Sequence, residues 1–286
     1  MQALRPWVRK VVKLKVPSYG EVDFKGGLER GCRPGGDIPN PNHKHRGLHQ
    51  GLLIDIDKGG PVNRWDLLDT ADIPRNGGQL RLLSRGNEFS IRISGSQGDL
   101  MNSRTHGSED ALGALACAHC RAVRSARVLI GGLGMGFTLA AALDSLPEDA
   151  KIDVAELVPG VLKWNREILG VCAGEPLLDK RVQVILADVG DLINRASGEY
   201  DAILLDVDNG PEGLTHPEND ALYSLQGLET ACQALRKSGV LAVWSATPAP
   251  RFTTLLKKAG FFVNEKRVRA HKGKGSRHVI WLASRE

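Results

Sequence analysis

From about residue 127 onward, short apolar runs alternate with segments whose apolar residues recur at helical spacing. The apolar runs predict buried strands near residues 127–131, 151–156, 182–187, 200–206 and 239–244. The segments between them predict helices near residues 136–146, 159–170, 189–196, 218–237 and 250–259. Strands that alternate with helices favour right-handed crossovers, so we expect an α/β fold with a doubly wound, mostly parallel sheet.

A shorter β pattern precedes this region. Residues 79–83 and 88–93 alternate polar and apolar side chains on either side of a Gly-Asn turn, which is typical of a β-hairpin. We therefore predict a small N-terminal β domain over residues 63–105, followed by a Rossmann-like catalytic domain over residues 106–286.

The chain ends with a second hairpin pattern. Residues 261–268 and 278–283 each predict a strand, and a short basic, glycine-rich link joins them. A hairpin at this point would place an antiparallel strand in an otherwise parallel sheet of seven strands.

Residues 1–62 differ from the rest of the chain in composition. They contain repeated Gly and Pro, and they hold 11 Lys and Arg against 6 Asp and Glu, which accounts for the whole net charge of +5. We interpret them as a poorly ordered extension or one foreign to the fold. Because the remaining residues are neutral overall, the charge gives no sign of a nucleic-acid partner.

Cysteine and hydropathy patterns indicate an enzyme of the reducing cytoplasm. The five cysteines are scattered, which does not suggest a disulfide framework. Cys117 and Cys120 form a C-x-x-C pair, but no second pair completes a zinc site, so we predict no metal. No apolar run approaches the roughly 20 residues that span a bilayer, so we expect no membrane association.

Glycines are concentrated where the first strand of the alternating region ends. Gly131, Gly132, Gly134 and Gly136 separate this strand from the helical pattern that begins near Phe137. Glycine lets the backbone turn tightly and approach a ligand, and the start of a helix adds free N–H groups. Taken alone, such a loop is as consistent with tight packing as with a nucleotide-type cofactor site.

Carboxylates end the strands that follow. Glu156 comes about 20 residues after the glycines, where an acid can accept both hydroxyls of a ribose. Asp188 could accept a hydrogen bond from an adenine amine, and Asp206 and Asp208 end the fourth strand. Each acid alone is more typical of a helix cap. Their recurrence at one sheet edge, where open parallel sheets bind ligands, favours a shared site.

These residues resemble the spermidine synthase-like, or polyamine aminopropyltransferase, family of the class I methyltransferase fold. The resemblance extends from about Arg64 to the C-terminus. The positions that match the family's motifs in order are Glu109, the loop Gly131 to Gly136, Glu156, the pair Asp188 and Val189, and Asp206.

The resemblance implies a transferase of polyamine biosynthesis. It implies that decarboxylated S-adenosylmethionine donates an aminopropyl group to a diamine such as putrescine, with release of methylthioadenosine. Asp206 would then be the base, and Asp208 and Glu109 would bind the amine. Tyr223 would line the substrate pocket, since it follows the loop that resembles the family's substrate cover. Family members often form homodimers.

Departures from the family pattern leave two alternatives open. Gly134 replaces the loop Asp that holds the amino end of the decarboxylated cofactor, which favours a methyltransferase that uses intact S-adenosylmethionine. The second acid of the catalytic strand is shifted by one place, to Asp208, and Gly107 replaces a tyrosine. A catalytically silent nucleoside-binding protein is therefore the other alternative. We also expect Trp244 and Trp281, at strand positions, to be core residues.

Overall fold

The described part of the chain forms two β-sheets with helices packed around the larger one. The computed structural model describes residues 64–75, 77–96, 98–207, 210–211, 219–271 and 274–286. The predictions for residues 1–62 and for Asp208 lie outside these residues. No helix in the described ranges is long and apolar enough to cross a membrane.

The smaller sheet comes first in the chain and is antiparallel, with its strands in sequence order. Its strands are β1 (Asp66–Asp72), β2 (Gln79–Arg85), β3 (Glu88–Ile93) and β4 (Met101–Asn102). The predicted hairpin is confirmed as β2 and β3, whose register pairs Leu82 with Ile91.

The larger sheet has seven strands among the described residues. They are β5 (Arg127–Gly131), β6 (Lys151–Glu156), β7 (Val182–Leu186), β8 (Tyr200–Leu205), β9 (Leu235–Ser245), β10 (Phe262–His271) and β11 (Lys274–Ser284). Their order is β10-β11-β9-β8-β5-β6-β7, and only β11 runs against its neighbours. The predicted fold class is confirmed, including the C-terminal antiparallel hairpin.

Helices connect the strands of the larger sheet. They are α1 (Gly107–Cys117), α2 (Phe137–Ser145), α3 (Pro159–Trp164), α4 (Val189–Arg195), α5 (Asn219–Leu222), α6 (Leu225–Ala234) and α7 (Pro250–Lys258). After α3 the chain continues as a π-helical segment, Asn165–Leu169, and a 3₁₀ turn, Gly170–Ala173.

The prediction of one helix over residues 218–237 is wrong. Tyr223 and Ser224 separate α5 from α6, because the Ser224 hydroxyl accepts a hydrogen bond from the Gly227 N–H and caps a new helix. The chain after Ala234 is strand rather than helix, since Leu235 pairs with Tyr200 of β8. Tertiary pairing therefore overrides the local helical pattern.

One apolar cluster joins the two sheets. Ile73 and Leu80 of the smaller sheet region pack in the same cluster as Val128 and Ile130 of β5. Asp69 of β1 adds polar contacts, because it accepts hydrogen bonds from the Lys163 ammonium and the Trp164 indole, each at 3.0 Å. The smaller sheet is thereby fixed over the carboxyl ends of β5 and β6.

Cys117 and Cys120 lie in this core and are fully buried. Burial raises the thiol pKa of both residues, that of Cys120 to about 12. Thiols in this state are protonated at neutral pH and are poor nucleophiles.

Candidate active site

The glycine loop between β5 and α2 is pressed against the end of β8. Gly132 has a φ of +89°, and a Cβ atom there would lie 2.5 Å from the Asp206 carbonyl oxygen. The Asp206 N–H in turn donates to the Gly131 carbonyl at 3.0 Å. A side chain at Gly132 would separate these segments, so glycine is needed for the loop and Asp206 to meet.

Glu156, the last residue of β6, is buried beside the glycine loop. Its Oε2 accepts a hydrogen bond from the Leu133 N–H at 2.9 Å, and its Oε1 accepts one from the Val158 N–H at 2.8 Å. Burial raises the pKa of this carboxyl, and the backbone donors act in the opposite direction. Leu157 and Gly134 are among those donors, together with Leu133 and Val158.

Asp188 caps the first turn of α4 with one oxygen and forms an ion pair with the other. Its Oδ1 accepts from the Gly190 N–H at 2.9 Å, and its Oδ2 lies 3.1 Å from the Arg75 guanidinium. Val189 follows, and its side chain occupies the space that a Cβ at Gly131 would need.

A cleft of about 160 Å³ brings most of these residues together. One wall is apolar and comes from the smaller sheet and the segments beside it, through Ile73, Leu80, Ile91, Leu100 and Met101. The opposite wall contains the predicted cofactor residues Gly132, Gly134, Glu156, Asp188 and Val189, together with Asp206. Polar groups at intervals along an apolar cleft are suited to a nucleoside.

Gly131 and Gly136 have supporting positions instead. Gly131 packs against Val189, and Gly136 begins α2 with a φ of +84°. The Asn165 amide donates to the Gly134 carbonyl at 2.7 Å, which ties the loop to the helical segment after α3.

Two carboxyl groups lie close together beside the cleft. Glu109 is in the first turn of α1, and Asp206 directly follows β8. Burial, and then the charge of Asp206, raise the pKa of Glu109 to about 7. Burial also raises the pKa of Asp206. At neutral pH the pair therefore holds a proton for part of the time.

Hydroxyl groups orient this carboxyl pair. Thr138 of α2 donates to Asp206 Oδ2 at 2.6 Å, and Ser108 donates to Glu109 Oε2 at 2.6 Å. Ser108 Oγ also lies 2.9 Å from His278 Nδ1, so a Ser108 that donates to Glu109 accepts from this nitrogen. Burial lowers the pKa of His278, which favours its neutral form.

A smaller pocket of about 80 Å³ opens beside the pair and adjoins the cleft. Its polar lining side chains are Glu109, Asp206, Thr138 and Trp244, and its apolar ones are Leu100, Met101, Leu133, Met135 and Phe137. Leu100, Met101, Gly134 and Asp206 line both cavities. Asp206 therefore stands where a molecule in the cleft would meet a molecule in the smaller pocket.

Trp281 is fully buried, as expected, and its indole donates to Thr253 at 2.8 Å. The expectation that Trp244 is a core residue is only partly right, because Trp244 packs against the core and also lines the smaller pocket. Tyr223 is 7% exposed, and its hydroxyl donates to the Val207 carbonyl at 3.4 Å. This hydrogen bond places the Tyr223 hydroxyl beside the residue that follows Asp206 in the chain.

Sequence reasoning missed several residues of the site, namely Arg75, Met101, Ser108, Thr138, Trp244 and His278. Two local signals existed: Ser108 precedes Glu109, and Thr138 lies in the first turn after the glycine loop. Trp244 lies near the carboxyl end of β9, at the ligand-binding edge of the sheet. Met101 and His278 reach the site only through tertiary packing.

Solved structures similar to this chain include spermidine synthases. The enzyme of Thermotoga maritima aligns with a TM-score of 0.58 and 15% identity, covering 77% of this chain and 73% of that one. A spermidine synthase in complex with the transition state analogue AdoDATO gives the same score and identity over 77% and 72%. A probable spermidine synthase of Corynebacterium glutamicum gives 0.53 and 16% over 77% and 80%.

At these identities the structural comparisons establish the fold alone. No curated protein matches the sequence of the chain. Residues 115–251 match the family model of the spermine/spermidine synthase domain. The family resemblance predicted from the sequence is therefore confirmed: residues 115–251 are similar to the spermine/spermidine synthase domain, and the fold is that of solved spermidine synthases.

Proposed function

We propose that this protein transfers an aminopropyl group from decarboxylated S-adenosylmethionine to a small amine and releases methylthioadenosine. The observation that carries the proposal is the carboxyl pair of Glu109 and Asp206 at the junction of the cleft and the smaller pocket. The spermidine synthase domain at residues 115–251 supports the same reaction class.

The carboxyl pair suits a cationic substrate. Its side-chain hydrogen-bond donors are the hydroxyls of Ser108 and Thr138, which carry no charge. Two neighbouring carboxylates repel each other when both are ionised, and an ammonium group between them would relieve that repulsion. An amine substrate would therefore bind with release of the proton that the pair holds.

Cofactor binding follows from the rest of the cleft. Glu156 would accept the ribose hydroxyls, because it ends β6 and lines the cleft beside the glycine loop. Asp188 and Val189 would lie at the adenine. The reactive end of the cofactor would then point along the glycine loop toward Asp206.

The reaction needs alignment and one proton acceptor. The amine nitrogen attacks the propyl carbon bonded to the sulfonium, the carbon–sulfur bond breaks, and its electron pair stays on sulfur as methylthioadenosine leaves. The attacking nitrogen loses a proton, which Asp206 would accept. Apolar neighbours such as Met101 and Phe137 exclude water from the transfer. Asp208 and Tyr223 would contribute to the amine site next to Asp206.

The test is a release assay with purified protein. Decarboxylated S-adenosylmethionine is supplied with a panel of primary amines and diamines, and methylthioadenosine is measured. We expect amine-dependent release that is lost in Asp206→Asn and retained in Asp144→Asn, whose side chain is exposed on α2. Binding of methylthioadenosine without turnover on any amine would instead support a silent nucleoside-binding protein.

Methyl transfer from intact S-adenosylmethionine is the second candidate, and Gly134 is the observation that favours it. The family has an Asp at the position of Gly134, which has no side chain, so the loop presents no carboxylate to repel the carboxylate of the intact cofactor. A Cβ atom at Gly134 would lie 3.0 Å from the Met101 sulfur. Calorimetry with both cofactors separates the two candidates, and Gly134→Asp should shift binding toward the decarboxylated form.

A further inference from the structure

A series of hydrogen bonds connects the carboxyl pair to His278 of β11. Glu109 Oε2 lies 2.6 Å from Ser108 Oγ, and Ser108 Oγ lies 2.9 Å from His278 Nδ1. A hydroxyl group has one hydrogen to donate, so Ser108 donates to Glu109 or to His278 but not to both. The direction in which it donates therefore depends on which of its two neighbours carries a proton.

Two arrangements of hydrogens satisfy this series. When Glu109 is protonated, its O–H donates to Ser108, Ser108 donates to Nδ1 of His278, and the neutral ring carries its hydrogen on Nε2. When Glu109 is ionised, the Nδ1–H of His278 donates to Ser108, and Ser108 donates to the carboxylate. The two arrangements differ by one proton, which enters or leaves at Nε2. The tautomer of His278 is thereby coupled to the ionisation of Glu109.

The far end of the series is open to water. The ring of His278 is half-buried, and its Nε2 forms no hydrogen bond with the residues that the structure describes. Among those residues, the buried side-chain nitrogens and oxygens without a partner are Arg127 Nε, Asn165 Oδ1 and Trp244 Nε1. Nε2 of His278 is not one of these buried atoms, so water reaches it.

The carboxyl pair itself would lose contact with water when the site fills. Glu109 and Asp206 line the smaller pocket, so an amine in this pocket and a cofactor in the adjoining cleft would cover both groups. Ser108 and His278 line neither cavity, and the substrates would leave them uncovered. The proton that the pair releases on amine binding therefore has a route that the substrates do not block.

We propose, on the basis of the amine binding proposed for this pair, that Ser108 and His278 conduct a proton from Glu109 to water. The Glu109 O–H bond breaks as its proton binds Ser108 Oγ, and the hydroxyl proton of Ser108 passes to Nδ1 of His278. The resulting imidazolium loses its Nε2 proton to water and becomes neutral. Glu109 is left as a carboxylate that accepts from Ser108, which is the form that binds an ammonium group. His278 thus acts on the reaction through Glu109, as a positioning residue.

The strands beside His278 present uncharged side chains to its ring among the described residues. β10 places Val268 opposite His278, and β9 contributes Trp244, which packs edge-to-face with 4.9 Å between ring centroids. Successive side chains of a strand point to opposite faces of the sheet. This alternation turns away the charged residues that flank Val268 and His278 along their strands, namely Arg267, Arg269 and Arg277.

The helix packed against β11 supplies the titratable group. On α1, Glu109 reaches His278 through one hydroxyl, and Asp206 acts on Glu109 by its charge. Asp110 of α1 is paired with His106, whose Nδ1 lies 2.8 Å from its Oδ2. Burial lowers the pKa of His278, so its ring is neutral near pH 7. An imidazolium formed on this path therefore gives up its proton readily.

The tautomer of His278 tests the proposal without turnover. Nitrogen-15 NMR of the imidazole nitrogens shows which of them carries hydrogen, and the signals of His278 are those that disappear in His278→Asn. We expect wild-type protein to change from the Nε2–H to the Nδ1–H tautomer as the pH rises through about 7, where Glu109 ionises. One unchanged tautomer from about pH 6 to about pH 9 overturns the proposal.

Two variants show whether Ser108 makes the connection. Ser108→Ala removes the shared hydroxyl, and Glu109→Gln removes the carboxyl that titrates. In both variants the tautomer of His278 should no longer depend on pH. A pH-dependent change that persists in Ser108→Ala would mean that another group controls the ring, and it would overturn the proposal.

Chemical rescue tests whether the ring carries the proton. In His278→Ala, kcat/KM for the amine at about pH 7 should fall at least about tenfold. His271→Ala is the matched control, because this imidazole is exposed at the end of β10, and it should keep the wild-type value. Added imidazole should restore His278→Ala, whereas pyrazole, a ring of the same size that is not protonated near neutral pH, should not. Full activity in His278→Ala, or equal rescue by both rings, overturns the proposal.

Failure of the proposed function can be recognised separately, because the NMR measurement needs no substrate. If no amine releases methylthioadenosine but the tautomer of His278 follows the ionisation of Glu109, the proton path is supported and aminopropyl transfer is wrong. If methylthioadenosine is released but the tautomer does not change with pH, aminopropyl transfer is supported and the proton path is overturned.

Discussion

The carboxyl groups at the cofactor end and at the acceptor end of the site differ in their hydrogen-bond donors. At the cofactor end, both oxygens of Glu156 accept backbone N–H groups from the segments beside them. At the acceptor end, Glu109 and Asp206 line the same pocket and receive one hydroxyl each. The donors to the first carboxyl come from the protein backbone, whereas the pair has only uncharged hydroxyl donors and would be neutralised by a bound cation. The contrast suggests that Glu156 has a binding and structural role, whereas Glu109 and Asp206 take part in amine binding and proton transfer.

The largest expected effect comes from removing the proton acceptor. Asp206→Asn keeps the size of the side chain and can still bond Thr138, but it cannot take a proton from the amine. We expect the rate of methylthioadenosine release to fall at least about 100-fold, with methylthioadenosine binding retained in calorimetry. Asp144→Asn is the matched control. A variant that retains more than about a tenth of the wild-type rate would remove Asp206 from the role of base.

The two ends also differ in how far the sequence predicts them. Glu156 and the glycine loop were predictable because strand ends, glycines and spacing along the chain determine the cofactor end. The pairing of Glu109 with Asp206 rests on the packing of α1 against the end of β8, which no local pattern encodes. The sequence suggested Asp206 from its place at a strand end and Glu109 only through the family resemblance. It placed Trp244 in the core because strand periodicity does not show a pocket.

Glu156→Gln tests the carboxyl whose oxygens both accept backbone N–H groups. The amide nitrogen cannot accept from either backbone N–H, so Leu133 or Val158 is left without an acceptor. We expect the free energy of unfolding to fall by about 2 kcal/mol, measured by denaturant unfolding, with weaker binding of methylthioadenosine. An unchanged stability would mean that these hydrogen bonds do not hold the loop.

The pH profile tests the acceptor end. The pKa of Glu109 is raised to about 7. Below that pH, the fraction of protein in which both carboxyl groups are ionised therefore falls about tenfold per pH unit. We expect kcat/KM for the amine to rise with pH and to level off above about 7, measured over pH 5.5 to about 9. Glu109→Gln removes the repulsion on Asp206, so the break should move to lower pH. A break that stays in place would assign it to another group.

The effect of Glu109→Gln on stability has the opposite sign from that of Glu156→Gln. The folded pKa of Glu109, about 7, exceeds its ordinary value of 4.5, so its protonated form stabilises the fold below pH 4.5 and that contribution is lost as pH rises through 7. Glu109→Gln is neutral at every pH. It should therefore match wild type near pH 4.5 and exceed it by up to about 3 kcal/mol at pH 8 in denaturant unfolding. Equal stability at both pH values would show that the pair carries no electrostatic strain, because a repelled carboxylate must destabilise the fold once it ionises.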